Sequence, residues 1–131
     1  MTKLLIIPDV HSRVFWKEAT EKYDQECDKI IFLGDYLDPY LDEGITRKEA
    51  IRTLEEVIEY KLNNKDKTVL LLGNHCLHYF IKSFPRSTRY DSSNAYKIRE
   101  LYYQHKHLFK LAHEETINNK NRGSEDIIKE L

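Results

Sequence analysis

Three continuous apolar runs, each closed at once by a backbone breaker, constrain the fold of this chain more than any other feature. They span 3–7 (Lys-Leu-Leu-Ile-Ile), 29–33 (Lys-Ile-Ile-Phe-Leu) and 68–72 (Thr-Val-Leu-Leu-Leu), and Pro8, Gly34 and Gly73 follow them. Runs of this length without alternation read as strands buried on both faces of a parallel sheet. Helical patterns separate them. Residues 15–23 suit a short helix. Residues 46–62 form the clearest helix: Thr46 and Glu49 have capping-box spacing, and Ala50, Ile51, Leu54, Val57, Ile58 and Leu62 make one apolar stripe. The order β-α-β-α-β implies an α/β fold with right-handed crossovers and a parallel sheet.

The second half is less patterned. Residues 76–82 suit a short helix, 83–93 a loop carrying Arg86 and Arg89, and 94–111 a helix. From Asn118 the chain turns polar, with Ser124 placed to cap a short helix over 125–131. We therefore divide the chain into a domain over 1–117 and a tail over 118–131.

Composition narrows the setting. The chain has 131 residues, 40% of them apolar, enough for one domain with a real core. Its formal net charge of −1 gives no bulk attraction to nucleic acid or anionic membranes. No apolar run is long enough to span a bilayer, and the run ending at Ile7 is too short for a secretory signal. With only Cys27 and Cys76, reduced thiols and a cytoplasmic location are expected.

The chemistry-bearing residues follow the strands. Asp9-Val10-His11 comes after the first, Gly34-Asp35-Tyr36-Leu37-Asp38 after the second and Gly73-Asn74-His75 after the third. In a parallel sheet all three leave at the carboxyl edge, where open α/β folds bind ligands. Two carboxylates, an amide and two imidazoles would meet there. Hard oxygen and borderline nitrogen donors of this kind suit Mn²⁺, Fe or Zn²⁺.

Asp-x-His, Gly-Asp-x-x-Asp and Gly-Asn-His, in this order, resemble the signature of the calcineurin-like metallophosphoesterases over roughly residues 3–80. The resemblance implies an αββα sandwich, a two-metal site and a phosphoester substrate: a phosphoprotein, a nucleotide or a nucleic-acid end. It implies that Asp9 and His11 hold one metal, that Asp35 bridges two, and that Asn74 binds the second. His75 would protonate the leaving oxygen after attack by a metal-bridging hydroxide, with Asp38 shaping the loop behind. Read from its own residues, the 83–93 loop either caps the substrate and grips a phosphate through Arg86 and Arg89 or is a solvated loop.

Several positions depart from that pattern. Ser12 stands where the family commonly has Gly, which suits a backbone without positive φ there. Pro39-Tyr40 replaces the Arg-Gly that often ends the second motif. Cys76 replaces the acid that often follows Gly-Asn-His and orients its imidazole. The Gly-His-x-His motif that completes the site has no counterpart, and the chain reads as ending where the next core strand should start. Truncation is the favoured reading. Substitute ligands from His78, His105, His107 or His113, or a non-catalytic binding module, are the alternatives. His78 reads as a partly buried surface residue and Cys76 as a plain buried thiol. Half of a two-sheet sandwich would expose one sheet face, so the chain alone is expected to be either unstable or self-associating. A Rossmann-type nucleotide binder is disfavoured, because no Gly-x-Gly-x-x-Gly follows the first strand.

Overall fold

The computed structural model describes residues 2–81 and 83–111. Four strands, β1 (Leu4–Ile7), β2 (Lys29–Phe32), β3 (Thr68–Leu72) and β4 (Phe109–Leu111), form one parallel sheet in the order β1-β2-β3-β4. Its register pairs Ile7 with Phe32, Phe32 with Leu70, and Leu70 with Phe109. Helix α1 (Phe15–Tyr23) links β1 to β2, and α2 (Arg47–Asn63) links β2 to β3. The short α3 (Asn74–Leu77) and then α4 (Ala95–Gln104) link β3 to β4.

The expected β-α-β-α-β order is present, with one strand added. Residues 94–111 are not a single helix. Helix α4 stops at Gln104, a 3-10 turn follows at Lys106–Leu108, and the chain enters β4. The apolar stripe that read as helical continues through Leu108, Phe109 and Leu111, but the last two alternate with exposed Lys110, which is strand spacing. The next core strand therefore lies within the chain. The tail over 118–131, Ser124 and His113 lie outside the described residues.

Local chemistry explains the elements. The Glu49 amide donates to Thr46 Oγ1 (3.1 Å) and the Thr46 amide to Glu49 Oε2 (3.0 Å), closing the capping box that starts α2. The buried face of α2 is Ala50, Ile51, Thr53, Leu54, Val57 and Ile58. It packs on a sheet face made of Ile7, Ile30, Phe32, Leu70, Leu72, Phe109 and Leu111, all buried. Trp16 of α1 meets Phe32 edge-on at 5.7 Å.

The two sheet faces are not equal. Continuous apolar strands led us to expect burial on both. Leu4 and Ile6 are instead 50% and 52% exposed, and Ile31, Val69 and Leu71 on the same face are only half-buried. Topology gives the reason. Each strand adds on the same edge of the sheet, so right-handed crossovers place every helix on one face. Among the described residues, nothing equivalent to that helical layer covers the other face. One sheet and one helical layer of the expected sandwich are thus present.

Candidate metal centre

The carboxyl ends of β1, β2 and β3 carry the site. Two glycines let β2 and β3 end side by side. A Cβ on Gly34 would run into the Gly73 backbone amide, and a Cβ on Gly73 would lie 2.8 Å from Asp35 Cγ. Gly34 also sits at φ +108°, which side chains rarely adopt. Beyond the glycines the backbone is bent into left-handed conformations at Asp9 (φ 38°), His11 (42°), Ser12 (62°), Asp35 (53°) and Asp38 (64°). Each is disfavoured by about 1–2 kcal/mol for an L-residue. Five such residues in two adjoining loops mark where the fold trades local strain for side-chain placement.

Ser12 is among them, so the expectation that its backbone avoids positive φ is corrected. Hydrogen bonds hold the strained segment. The His11 amide donates to Asp35 O and the Ser12 amide to Tyr36 O, both at 2.7 Å. Thr53 of α2 donates to Ser12 O at 3.2 Å. The turn between Asp9 and His11 is what brings two residues of one strand end to a common point.

Donor atoms of Asp9, His11 and Asp35 all lie within 4.8 Å of one another. Asp9 is exposed, Asp35 half-buried and His11 buried. His11 Nδ1 donates to the Leu37 carbonyl at 2.9 Å, which leaves Nε2 as the free lone pair. That backbone acceptor fixes the tautomer and ring orientation a metal ligand needs. Asp35 Oδ1 accepts the His75 amide at 2.8 Å. With its nitrogen turned to Asp35, the Asn74 amide donates to both carboxylate oxygens at 3.1–3.2 Å. The three motifs therefore meet at Asp35. Two acids and one free imidazole nitrogen are a donor set that fits a divalent cation.

His75 stands next to this group, with its ring 4.8 Å from the His11 ring, edge to face. Behind it lies Asp38, 2% exposed. His75 Nδ1 is 2.9 Å from Asp38 Oδ2, and Tyr79 OH donates to Asp38 Oδ1. Burial alone would push the Asp38 carboxyl up, but hydrogen bonds from His75, His78 and Tyr79 outweigh it and hold the group below the usual carboxylate range. Asp38 thus does what the acid missing at Cys76 would have done: it orients the His75 imidazole. Cys76 is fully buried, and burial raises its thiol to about 11.

His78 corrects the sequence reading. It is buried, and its Nε2 lies 2.6 Å from Asp38 Oδ2 along a bent approach. Its spacing of three from His75 on a helical turn was the available signal. His105, half-buried at the end of α4, and His107 join neither of the metal-donor groups found among the described residues.

The 83–93 loop folds over the site. Arg89 Nη2 is 3.1 Å from His75 Nε2, its guanidinium lies over the Tyr40 ring at 3.8 Å, and its Nη1 is buried without a partner. Arg86 is exposed and stacks on Tyr90 at 4.4 Å. A cavity of about 290 Å³ opens beside Asp38, Tyr40 and Arg89, with Ala50, Ile51 and Ile98 in its apolar lining. No helix among the described residues is long and apolar enough to cross a membrane.

A family model for the calcineurin-like phosphoesterases matches residues 2–129, well past the residues 3–80 that carry the three motifs. No curated protein and no solved structure gives a significant match.

Proposed function

The chain belongs to the calcineurin-like phosphoesterases, and on that premise we propose that it hydrolyses phosphoesters with divalent metal at the Asp9–His11–Asp35 group. The observation that carries this reading is the convergence of those three donors within 4.8 Å, beside a buried imidazole, at the carboxyl edge of the sheet. Asp9 and His11 would hold one ion. Asp35 and Asn74 would hold a second. Mn²⁺ suits the set best, with Fe or Zn²⁺ as alternatives. Bound metal supplies Lewis-acid polarisation of the phosphoryl group and an acidified water.

The chain's own residues do the rest. Asp38 accepts the hydrogen bond from His75 Nδ1, which leaves His75 Nε2 facing the site; a ring protonated on both nitrogens would give its Nε2 proton to the leaving oxygen and return to the neutral form. Arg89 occupies that position now; a phosphate oxygen is the better partner for its guanidinium, and the buried, unpartnered Nη1 is ready to make the second bond. Arg86 would add a second, outer contact. The leaving group would enter the cavity beside Tyr40. Substrates are drawn from phosphoproteins, nucleotides and nucleic-acid ends. The unpaired Cys27 and Cys76 support a reducing, cytoplasmic setting.

The test is hydrolysis of a chromogenic phosphate ester by the 131-residue chain with and without Mn²⁺, alongside Asp35→Asn. Mn²⁺-dependent turnover lost in the variant is expected. Mn²⁺ binding by calorimetry without turnover above the variant would refute hydrolysis and leave a metal-binding module.

A further inference from the structure

His78 has a place in the site that neither the three motifs nor the metal group explains. Its side chain is among the most buried polar groups of the protein, 3% exposed. Two neighbours determine where its proton sits. The Ser87 amide donates to His78 Nδ1 at 3.2 Å. A backbone N–H can only donate, so Nδ1 is the acceptor and the ring proton is on Nε2. Nε2 then faces Asp38 Oδ2 at 2.6 Å. The same oxygen lies 2.9 Å from His75 Nδ1. Two imidazole N–H groups therefore converge on one carboxylate oxygen, that of His75 as a hydrogen bond and that of His78 in close contact along a bent approach, while Tyr79 OH occupies the other oxygen.

Asp38, His75 and His78 also have their donor atoms within 4.8 Å, which by composition resembles a second cation site. The Ser87 amide argues against it. A metal on His78 Nε2 would require the proton on Nδ1, head-on to the Ser87 N–H. The cluster is a hydrogen-bond relay.

Resting on the reading of His75 as leaving-group acid, we propose that His78 is a positioning residue for that acid. Its Nε2–H saturates Asp38 so that the carboxylate has one remaining role, accepting from His75 Nδ1. His75 is thereby confined to the tautomer and rotamer that present Nε2 to the substrate. The Ser87 amide, contributed by the loop that also carries Arg89, locks the relay from the far side. This gives the loop a reason to fold back on the turn after β3: it supplies both the phosphate clamp and the tautomer lock. Tyr90 completes the lock sterically, meeting the His78 ring edge-on at 5.0 Å.

The experiment is nitrogen-15 NMR of histidine-labelled chain together with Mn²⁺-dependent kinetics for wild type, His78→Phe and His78→Gln. In the wild type the spectrum should show His75 protonated on Nδ1 and His78 on Nε2. His78→Phe keeps the ring volume but donates nothing. It should mix the two His75 tautomers and lower kcat about tenfold, the low end for partners that orient a reactive imidazole, with KM and Mn²⁺ affinity unchanged. His78→Gln, whose amide reaches Asp38 with an N–H, should restore the His75 tautomer and most of kcat. A wild-type His78 protonated on Nδ1, an unaltered His75 tautomer in His78→Phe, or a folded His78→Gln as impaired as His78→Phe would each overturn the proposal. The tautomer readings need no turnover, so a failure of the hydrolase reading is separable from a failure of this one.

Discussion

Asp38→Asn tests the central claim of the site, that one buried carboxylate organises three donors. The substitution preserves shape and leaves one oxygen. In the wild type Oδ1 accepts from Tyr79, while Oδ2 serves both His75 and His78. Asn can keep Tyr79 satisfied only by turning its NH₂ toward two imidazole N–H groups. A buried donor left unsatisfied loses about 1–3 kcal/mol, so the ceiling is about 6 kcal/mol. His75 can relieve one conflict by moving its proton to Nε2. His78 cannot, because Ser87 pins its tautomer. We expect a net loss of about 3 kcal/mol, a large share of the roughly 5–15 kcal/mol that holds a typical domain.

The pH dependence follows from the lowered Asp38 value. A carboxyl depressed on folding adds stability that is fully present above the unfolded value of about 3.9 and is lost as pH falls through the lower folded value. Asn does not titrate. The wild-type advantage should therefore be flat from pH 7 to 5 and shrink in more acid solution. Urea denaturation of both chains across that range is the assay. A deficit under about 1 kcal/mol at pH 7, against the expected unsatisfied donors, or an advantage that grows toward acid, would refute the account.

Three further outcomes are expected. Gly34→Ala should lose about 1–3 kcal/mol from its backbone conformation alone, with the clash against Gly73 added and Mn²⁺ affinity reduced; calorimetry that finds both unchanged would contradict the close-approach argument. Thiol titration of the native chain should label half-exposed Cys27 quickly and Cys76 only on unfolding, since Cys76 is buried with its thiol raised to about 11; equal rates would show that the core around Cys76 opens readily. The half-covered sheet face of Leu4, Ile6, Ile31, Val69 and Leu71 should drive concentration-dependent self-association, and a single monomeric species throughout sedimentation runs would refute it.

The local rules explain how much was legible in advance. Helix α1 at Phe15–Tyr23, the capping box of α2 and strand β3 at Thr68–Leu72 were readable because each rests on residues within one or two turns of one another. The buried inertness expected of Cys76 is likewise in place. Strand β4 was not legible: three residues carry too short a period to separate from the apolar stripe before them, and only pairing with β3 makes them a strand. The exposed sheet face was hidden for a related reason. An apolar run does not reveal on which side its helices pass; the strand order does.

For the candidate site, the sequence by itself determined which chemistry is present: Asp9, His11, Asp35, Asn74 and His75, each at a strand end, gathered on one edge by the parallel order. Tertiary structure decided what each can do. It bent five side-chain-bearing residues into left-handed backbone and gave His11 a carbonyl partner that frees Nε2. It put Arg89 on His75, and it recruited His78 and Tyr79 to Asp38 across some forty residues of chain. Hydrogen bonds of that span depend on where two loops meet in space, and sequence spacing carries no record of it.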